Sequence, residues 1–474
     1  MADRMTDRGG SGGMGTGTRA RDGRISDRRR GTSRHALRSD RRSGFLRRSR
    51  GPSSRSRGPR DPAAAPPSAV TPRPLSRTRR IGPLPLRQLA LAEIALALAA
   101  VGVAAGGLWT VPAAAVGGVL LLFAFARWRG QALQDRPAAA LALRTRVRAA
   151  RPAAAECDPS LAPVAEWVPG FGPYPYVDRE RRTVGMVGDG TFLTAVVRVE
   201  ANGDGLRPAF GARAFPLAVL AGALLVDDIA VESVQWVQQV RPAPAPHLPR
   251  QAPARLSYAP LQERTGAPAL RLTWVAVKLD PELCRDAIRA RGGGPEGAQR
   301  ALVRVADHVA SRVTGAGFQA VVLDQDELNA AVATAACASP RPAARAGAPE
   351  PGGRRRTAET SRVWRCDDRL HTTYAVDRWP ELGRGAAPLP KPVSLLMSVP
   401  AYATTFSLAL RRGAHQGSTD LSGHVRVTGG SDSELTAARR TLEQAARVAR
   451  VGLVRLDREQ VPGALATLPL GGAR

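Results

Sequence analysis

A mixed α+β body, tethered by a short membrane hairpin and built with an internal duplication, is the fold class this sequence predicts. Three observations predict it. A 38-residue apolar run, Leu89 to Ala126, is flanked on both sides by arginines, and apolar spacing beyond residue 165 alternates between periods of two and about 3.6. Two segments about 133 residues apart also resemble one another: FQAVVLDQDELNAAVATA (318–335) and VGLVRLDREQVPGALATL (451–468).

The chain of 474 residues carries a formal charge of +29, which first suggests nucleic acid or anionic lipid. Its distribution argues otherwise. More than half of the excess lies in residues 1–88, and Lys278 and Lys391 are the only lysines. Abundant Ala, Gly and Pro beside so much Arg point to a coding bias, so residues 1–84 are expected to form a disordered, solvated tail without specific nucleic-acid binding. Cys157, Cys284, Cys337 and Cys366 lie far apart without a CxxC pair. They are read as reduced thiols, not as a zinc site or disulfide framework.

Residues 85–129 are predicted to form the hairpin. As one helix the apolar run would reach about 57 Å at ~1.5 Å per residue, far beyond a ~30 Å hydrocarbon core. Trp109-Thr110-Val111-Pro112 interrupts it, which gives two spans, about 89–108 and 112–128. Arg79, Arg80 and Arg87 precede the run; Arg127, Arg129, Arg136 and Arg144 follow it. Positive flanks on both sides require an even number of crossings and place the N-terminus and the C-terminal body in the cytoplasm. A single tilted span is the alternative. Glu93 is the one charge inside, within reach of Arg87, and Trp109 and Trp128 sit where interfacial aromatics are expected. The basic lead is too long and the apolar run too extended for a secretory signal.

Residues 130–164 read as a linker with some helix. The first half of the body, 165–337, is predicted to contain a hairpin over 183–200 turning at Gly188-Asp189-Gly190, a helix over 214–228, and strands at 233–240 and 270–280. A further helix carries Ala298, Leu302, Val305, Val309 and Val313 on one face and ends at Gly315 and Gly317. A Pro/Ala/Gly/Arg stretch, 338–360, is the expected flexible linker. The second half, 361–474, restarts with strands at 361–366, 370–379, 392–399 and 404–412, then HVRVTGG. A closing helix from Ser431 is expected to bury Leu435, Ala438, Leu442, Ala445 and Val448, with Ser431 and Glu434 spaced as a capping box.

Several residues invite a chemical reading. In RARGGGPEGAQRAL (289–302), glycines 292, 294 and 297 match GxGxxG, but the long gap from the preceding strand removes the tight turn. A Walker loop would need Lys-Ser/Thr where Ala298-Gln299 stand. Helix-start chemistry explains the stretch: Gly294 as cap, Pro295 first in the helix, Glu296 complementing the dipole. An anion site at 291–297, serving a membrane-tethered enzyme that acts on a nucleotide or phosphosugar, is the alternative. Asp324, Asp326 and Glu327 form the densest acidic cluster, and Asp324 recurs as Asp457 at an equivalent strand-to-helix junction, so helix capping is preferred to metal or acid–base work. Asp227-Asp228 and Asp367-Asp368 read as turns. His308, His371 and His424 are scattered, and no HExxH or GxSxG is present. No catalytic, cofactor or metal residue is nominated.

Taken in order, GMVGDGTFLTAVVRVE, TWVAVKLDP, CRDAIRARGGGPEGAQRALVRVADHVASRV, TTYAVDRWPEL, PAYATTFSLALRR and VGLVRLDREQ resemble the EccE component of actinobacterial type VII (ESX) secretion systems. The likeness covers the apolar pair and nearly all of 165–470, and leaves out the Arg-rich tail. It implies a structural, multi-pass subunit of the plasma membrane, without a reaction of its own. It also implies partners: EccB, the EccC ATPase and EccD, assembled around a secretion channel. No cofactor and no small-molecule substrate are expected.

Overall fold

The computed structural model describes residues 80–81, 84–107, 110–125, 127–128, 131–132, 136–154, 157–201, 215–242, 251–253, 256–257, 270–339, 355–380, 390–413, 415 and 418–472. The Arg-rich tail to residue 79 and most of the 338–360 stretch lie outside the described residues, as does Trp109. The large strands form one twelve-stranded antiparallel sheet, so the mixed α+β class is borne out.

In chain order the strands are β1 (Gly172–Pro173), β2 (Met186–Gly188), β3 (Leu193–Ala201), β4 (Ser233–Arg241), β5 (Leu270–Leu279) and β6 (Phe318–Val322). Then come β7 (Thr357–Glu359), β8 (Trp364–Cys366), β9 (Arg369–Arg378), β10 (Ala403–Arg412), β11 (Thr419–Gly429) and β12 (Gly452–Arg455). Across the sheet the order is β7-β8-β9-β11-β10-β4-β5-β3-β2-β1; β6 pairs with the far half of β3, and β12 with the far half of β9.

That order is a repeat. Each half lays down a hairpin strand, a long strand, two more long strands in swapped positions, and a short strand returning to the first long one. The equivalent strands β4 and β10 pair with each other, centred on Val237 opposite Ser407. Two like strands paired antiparallel at the centre place an approximate twofold axis there. The helices follow the same rule. α7 (Gly294–Gly315) follows β5 as α10 (Asp432–Val448) follows β11, and α8 (Gln325–Ala336) follows β6 as α11 (Gln460–Leu465) follows β12. The 133-residue offset applies from α7 onward; before it the spacing between equivalent strands is longer, because α6 (Arg285–Ala290) and the β4–β5 connection are additions to the first half. The halves share one continuous sheet.

Strand alternation sends alternate residues to the two faces. One face is apolar: Val197, Val275, Val277, Trp236, Phe406, Leu408, Val425 and Val427 lie beneath α7, α10, α5 (Leu217–Gly222) and α9 (Pro390–Met397). All five α7 residues expected on the apolar face are buried. The other face lies under α8, α11, the chain after α11, and the segment around α4 (Ala162–Ala165), whose Leu161, Val164 and Trp167 pack into it.

Several local expectations are corrected. PVSLLMSV contributes to α9, a helix and not a strand, because Pro390 and Pro392 fit a first helical turn but cannot donate to a ladder. The helix expected over 214–228 shortens to α5; Asp227, with φ of 54°, then turns the chain in a tight two-strand ladder. In the last turn of α10 the buried stripe runs through Ala446 and Ala449, while Val448 is exposed.

N-terminal to the body, α1 (Leu86–Ala105) and α2 (Thr110–Phe125) occupy the predicted hairpin. The break lies earlier than expected: Gly106 and Gly107 take φ of 65° and 66°, a conformation without penalty for glycine. Thr110 Oγ1 donates to Gly107 O at 2.7 Å. Pro112 sits inside the first turn of α2, where its missing N–H is harmless. The helices approach closely at Gly117, where an added Cβ would lie 3.1 Å from Ala95 O. Ile94, Leu96, Val101, Val103, Val111, Val119 and Leu122 are exposed around the pair. Among the described residues no helix is long and apolar enough to cross a membrane; α2 has 16 residues.

Gln235, on β4 beside the twofold axis, is fully buried and makes four hydrogen bonds. Its Nε2 donates to Ser407 Oγ and to Ala466 O, both at 2.8 Å, and its Oε1 accepts from Leu470 N and Gly471 N at 3.2 and 2.8 Å. Gln235→Leu strands these partners and is expected to lower unfolding free energy by about 3 kcal/mol. Chemical denaturation of the two proteins measures the difference.

Candidate functional site

The residues singled out for chemistry are engaged in structure. Gly292, Gly293 and Gly294 have φ of 100°, 71° and 61°, and Gly293, one residue earlier than expected, caps α7. Pro295 therefore stands second in the helix. Glu296 accepts from Arg300 at 2.7 Å. Gly297 lies where a Cβ would come within 2.7 Å of Ile288 O, so its lack of a side chain lets α6 pack on α7. Arg291, beside this turn, is held by Asp228 at 2.7 and 2.9 Å, and Arg300 Nη1 donates to Arg291 O at 2.8 Å.

The carboxylates also have partners. Asp324 caps α8 in a complete capping box, accepting from Glu327 N at 2.9 Å while Glu327 Oε2 accepts from Asp324 N at 3.3 Å. Asp457 does not repeat this role: Glu459 stands at the start of α11, and Asp457 pairs with Arg455. Ser431 accepts from Glu434 N at 3.2 Å, but Glu434 bonds Gly430 N in place of the cap's own N–H, so half of that box forms. Asp227 pairs with Arg304, and Asp367, in a turn with φ of 49°, with Arg356. Asp368 pairs with Arg369. Among the described residues no group of three or more His, Cys, Asp or Glu could hold a metal. Glu93 is exposed on α1, and His308 is half-buried on α7. All four cysteines are free, and burial pushes the thiols of Cys157, Cys284 and Cys366 up.

Two features that the sequence reading missed dominate the interior. The first joins α3 (Arg136–Ala149) to the body. Helix α3, in the segment read as a linker, sends Arg146 into the edge of the second half. There Arg146 Nε and Nη2 donate to Glu359 of β7, each at 3.2 Å, with side-chain exposures of 3% and 0%. Arg146 also donates to Arg458 O, and Glu359 accepts from Val461 N at 3.0 Å. Burial pushes the Glu359 carboxyl up, and Arg146 opposes that push. One ion pair thus fastens α3 to β7 and α11 together.

The second is a polar seam along the centre of the sheet, on the face covered by α8 and α11. Thr194, Ser233, Gln235, Gln239, His371, Thr373, Thr405, Ser407, His424, Arg426 and Thr428 are all buried there. Its bonds cross between the halves. Thr194, Ser233 and Gln235, from the first, hold the 466–471 segment of the second. Arg426 and Thr405, from the second, meet the α8 C-terminus and Gln239 of the first: Arg426 Nη2 and Gln239 Nε2 both donate to Ala335 O, and Gln239 also donates to Thr405 Oγ1 at 3.3 Å. Cations and amides at a helix C-terminus satisfy its orphan carbonyls and oppose its dipole.

Residues 267–376, from the lead of β5 to β9, match the model of the family described as EccE, type VII ESX secretion system translocon. The resemblance read from the sequence is borne out over this segment. No curated protein matches the chain.

Two measurements test this part of the structure. Glu359→Gln leaves Arg146 buried without a counter-charge and is expected to cost about 3–5 kcal/mol on denaturation. Burial holds His424 down to about 4 and His371 well below its usual 6.5, so both are neutral when folded. Their contribution is complete above the unfolded value near 6.5 and is lost as pH falls from there towards 4. His424 alone accounts for about 3 kcal/mol of the loss. Denaturation midpoints taken from pH 7 to pH 4 should fall, and His424→Gln should flatten the fall.

Proposed function

We propose that this EccE-type chain is a structural subunit of a type VII secretion translocon, anchored in the plasma membrane by α1 and α2 and acting through protein contacts of its body. The family match supplies the secretion context. The observation that carries the mechanical reading is the Arg146–Glu359 pair, which locks α3, the helix that follows the hairpin in the sequence, into the sheet edge.

The exposed apolar side chains around α1 and α2 support the anchor. Ile94, Val101, Val103 and Val119 would be costly in water, and roughly 0.8 kcal/mol per buried CH2 is recovered in hydrocarbon. Neither helix need span alone. Packed through Ala95 and Gly117, with arginines in both flanks, they form a paired insertion whose two ends face the cytoplasm. The proposed partners are EccB, the EccC ATPase and EccD. On this reading the body binds no cofactor and turns over no substrate; within the 291–297 stretch of the rival anion site, Arg291 is paired with Asp228 and Glu296 with Arg300.

Membrane fractionation tests the proposal. The intact chain is expected to remain in the pellet after an alkaline wash and to bring an FtsK-like ATPase with it from detergent extracts. Deleting 86–125 should move it to the soluble fraction and abolish that co-purification. A wild-type chain released by the wash, or phosphosugar turnover by the purified protein, would contradict it.

A further inference from the structure

Among the described residues, Arg426 is a buried cation without a counter-charge or a hydrogen-bond partner for its Nε and Nη1. It lies on β11 within the polar seam, 0% exposed. Nη2 donates to Ala335 O and, at 3.5 Å, to Thr405 Oγ1, both uncharged acceptors. The ionisable groups that act on it are the thiols of Cys337 and Cys366, and no carboxylate among the described residues pairs with it.

Unpartnered polar atoms gather on the same face around it. Thr373 stands directly opposite Arg426 on β9, and its Oγ1 is unpartnered. His371, one pleat along, bonds Thr428 Oγ1 through Nδ1 at 2.9 Å and leaves Nε2 unpartnered. Trp364, with an unpartnered Nε1, lies 4.7 Å from the His371 ring and 5.8 Å from the Arg426 guanidinium, centre to centre. N–H donors outnumber acceptors in this patch. Leaving a buried ion and its donors unmet is destabilising, and a negatively charged acceptor removes that penalty.

We infer that Arg426, Thr373, His371 and Trp364 form an internal binding site for a small inorganic anion of the chloride class. The cover favours a monatomic ion over an oxyanion: Gly463 of α11 closes over Thr373 so tightly that a Cβ there would stand 3.0 Å from the threonine side chain. The anion neutralises Arg426 where it meets the α8 C-terminus, and so strengthens the join between the halves.

The test uses the full chain in detergent, with chloride as the probe. Melting temperature in sodium chloride is compared with sodium gluconate at equal ionic strength, and chloride-35 NMR line broadening is measured on the same samples. A saturable rise of a few degrees with chloride is expected, together with broadening that bromide competes away. Arg426→Met should abolish both, and Thr373→Val should weaken apparent affinity several-fold. Equal melting in the two salts without broadening, or broadening that survives Arg426→Met, overturns the site. If Arg426→Met does not fold, Thr373→Val decides, since unchanged affinity there also overturns it.

Discussion

The structure depends on an exchange of hydrogen bonds across the sheet centre. Side chains from one half receive the helix end or terminal segment of the other: Gln235 takes Ala466, Leu470 and Gly471, and Arg426 takes Ala335. Neither half can satisfy these groups alone, and a buried polar group left unmet is expensive. The seam therefore makes β4 and β10 the centre of one cooperative body, although the chain repeats a unit on either side of them.

α3 docks at β7, an outer strand of the second half, and not at the centre. Its buried pair with Glu359 covers an edge that would otherwise offer unpaired backbone groups. Glu359 also reaches α11 through Val461 N, next to the segment that the seam holds.

Much of this was legible in the sequence. The long strands β4, β5, β9 and β10, the apolar face of α7, the capping of α8 and the repeat from α7 onward follow from period, caps and offset. The seam was not legible, for a physical reason. Ser233, Gln235 and Gln239 in SVQWVQQV, or His424, Arg426 and Thr428 in HVRVT, alternate with apolar residues as a solvated strand face would. Only the arrival of α8, α11 and the C-terminal segment converts that face into an interior. Arg146 was hidden similarly: among the many arginines of an Ala-rich stretch, nothing local marks the one whose partner lies at Glu359.

Native-state hydrogen exchange followed by mass spectrometry tests the unity of the body most directly. The account predicts that amides of β4, β10 and the C-terminal ends of α8 and α11 exchange only through global unfolding, with a common free energy and denaturant slope. Exchange of β10 and β11 through a separate opening, while β4 and β5 remain protected, would show two independently unfolding halves and contradict it.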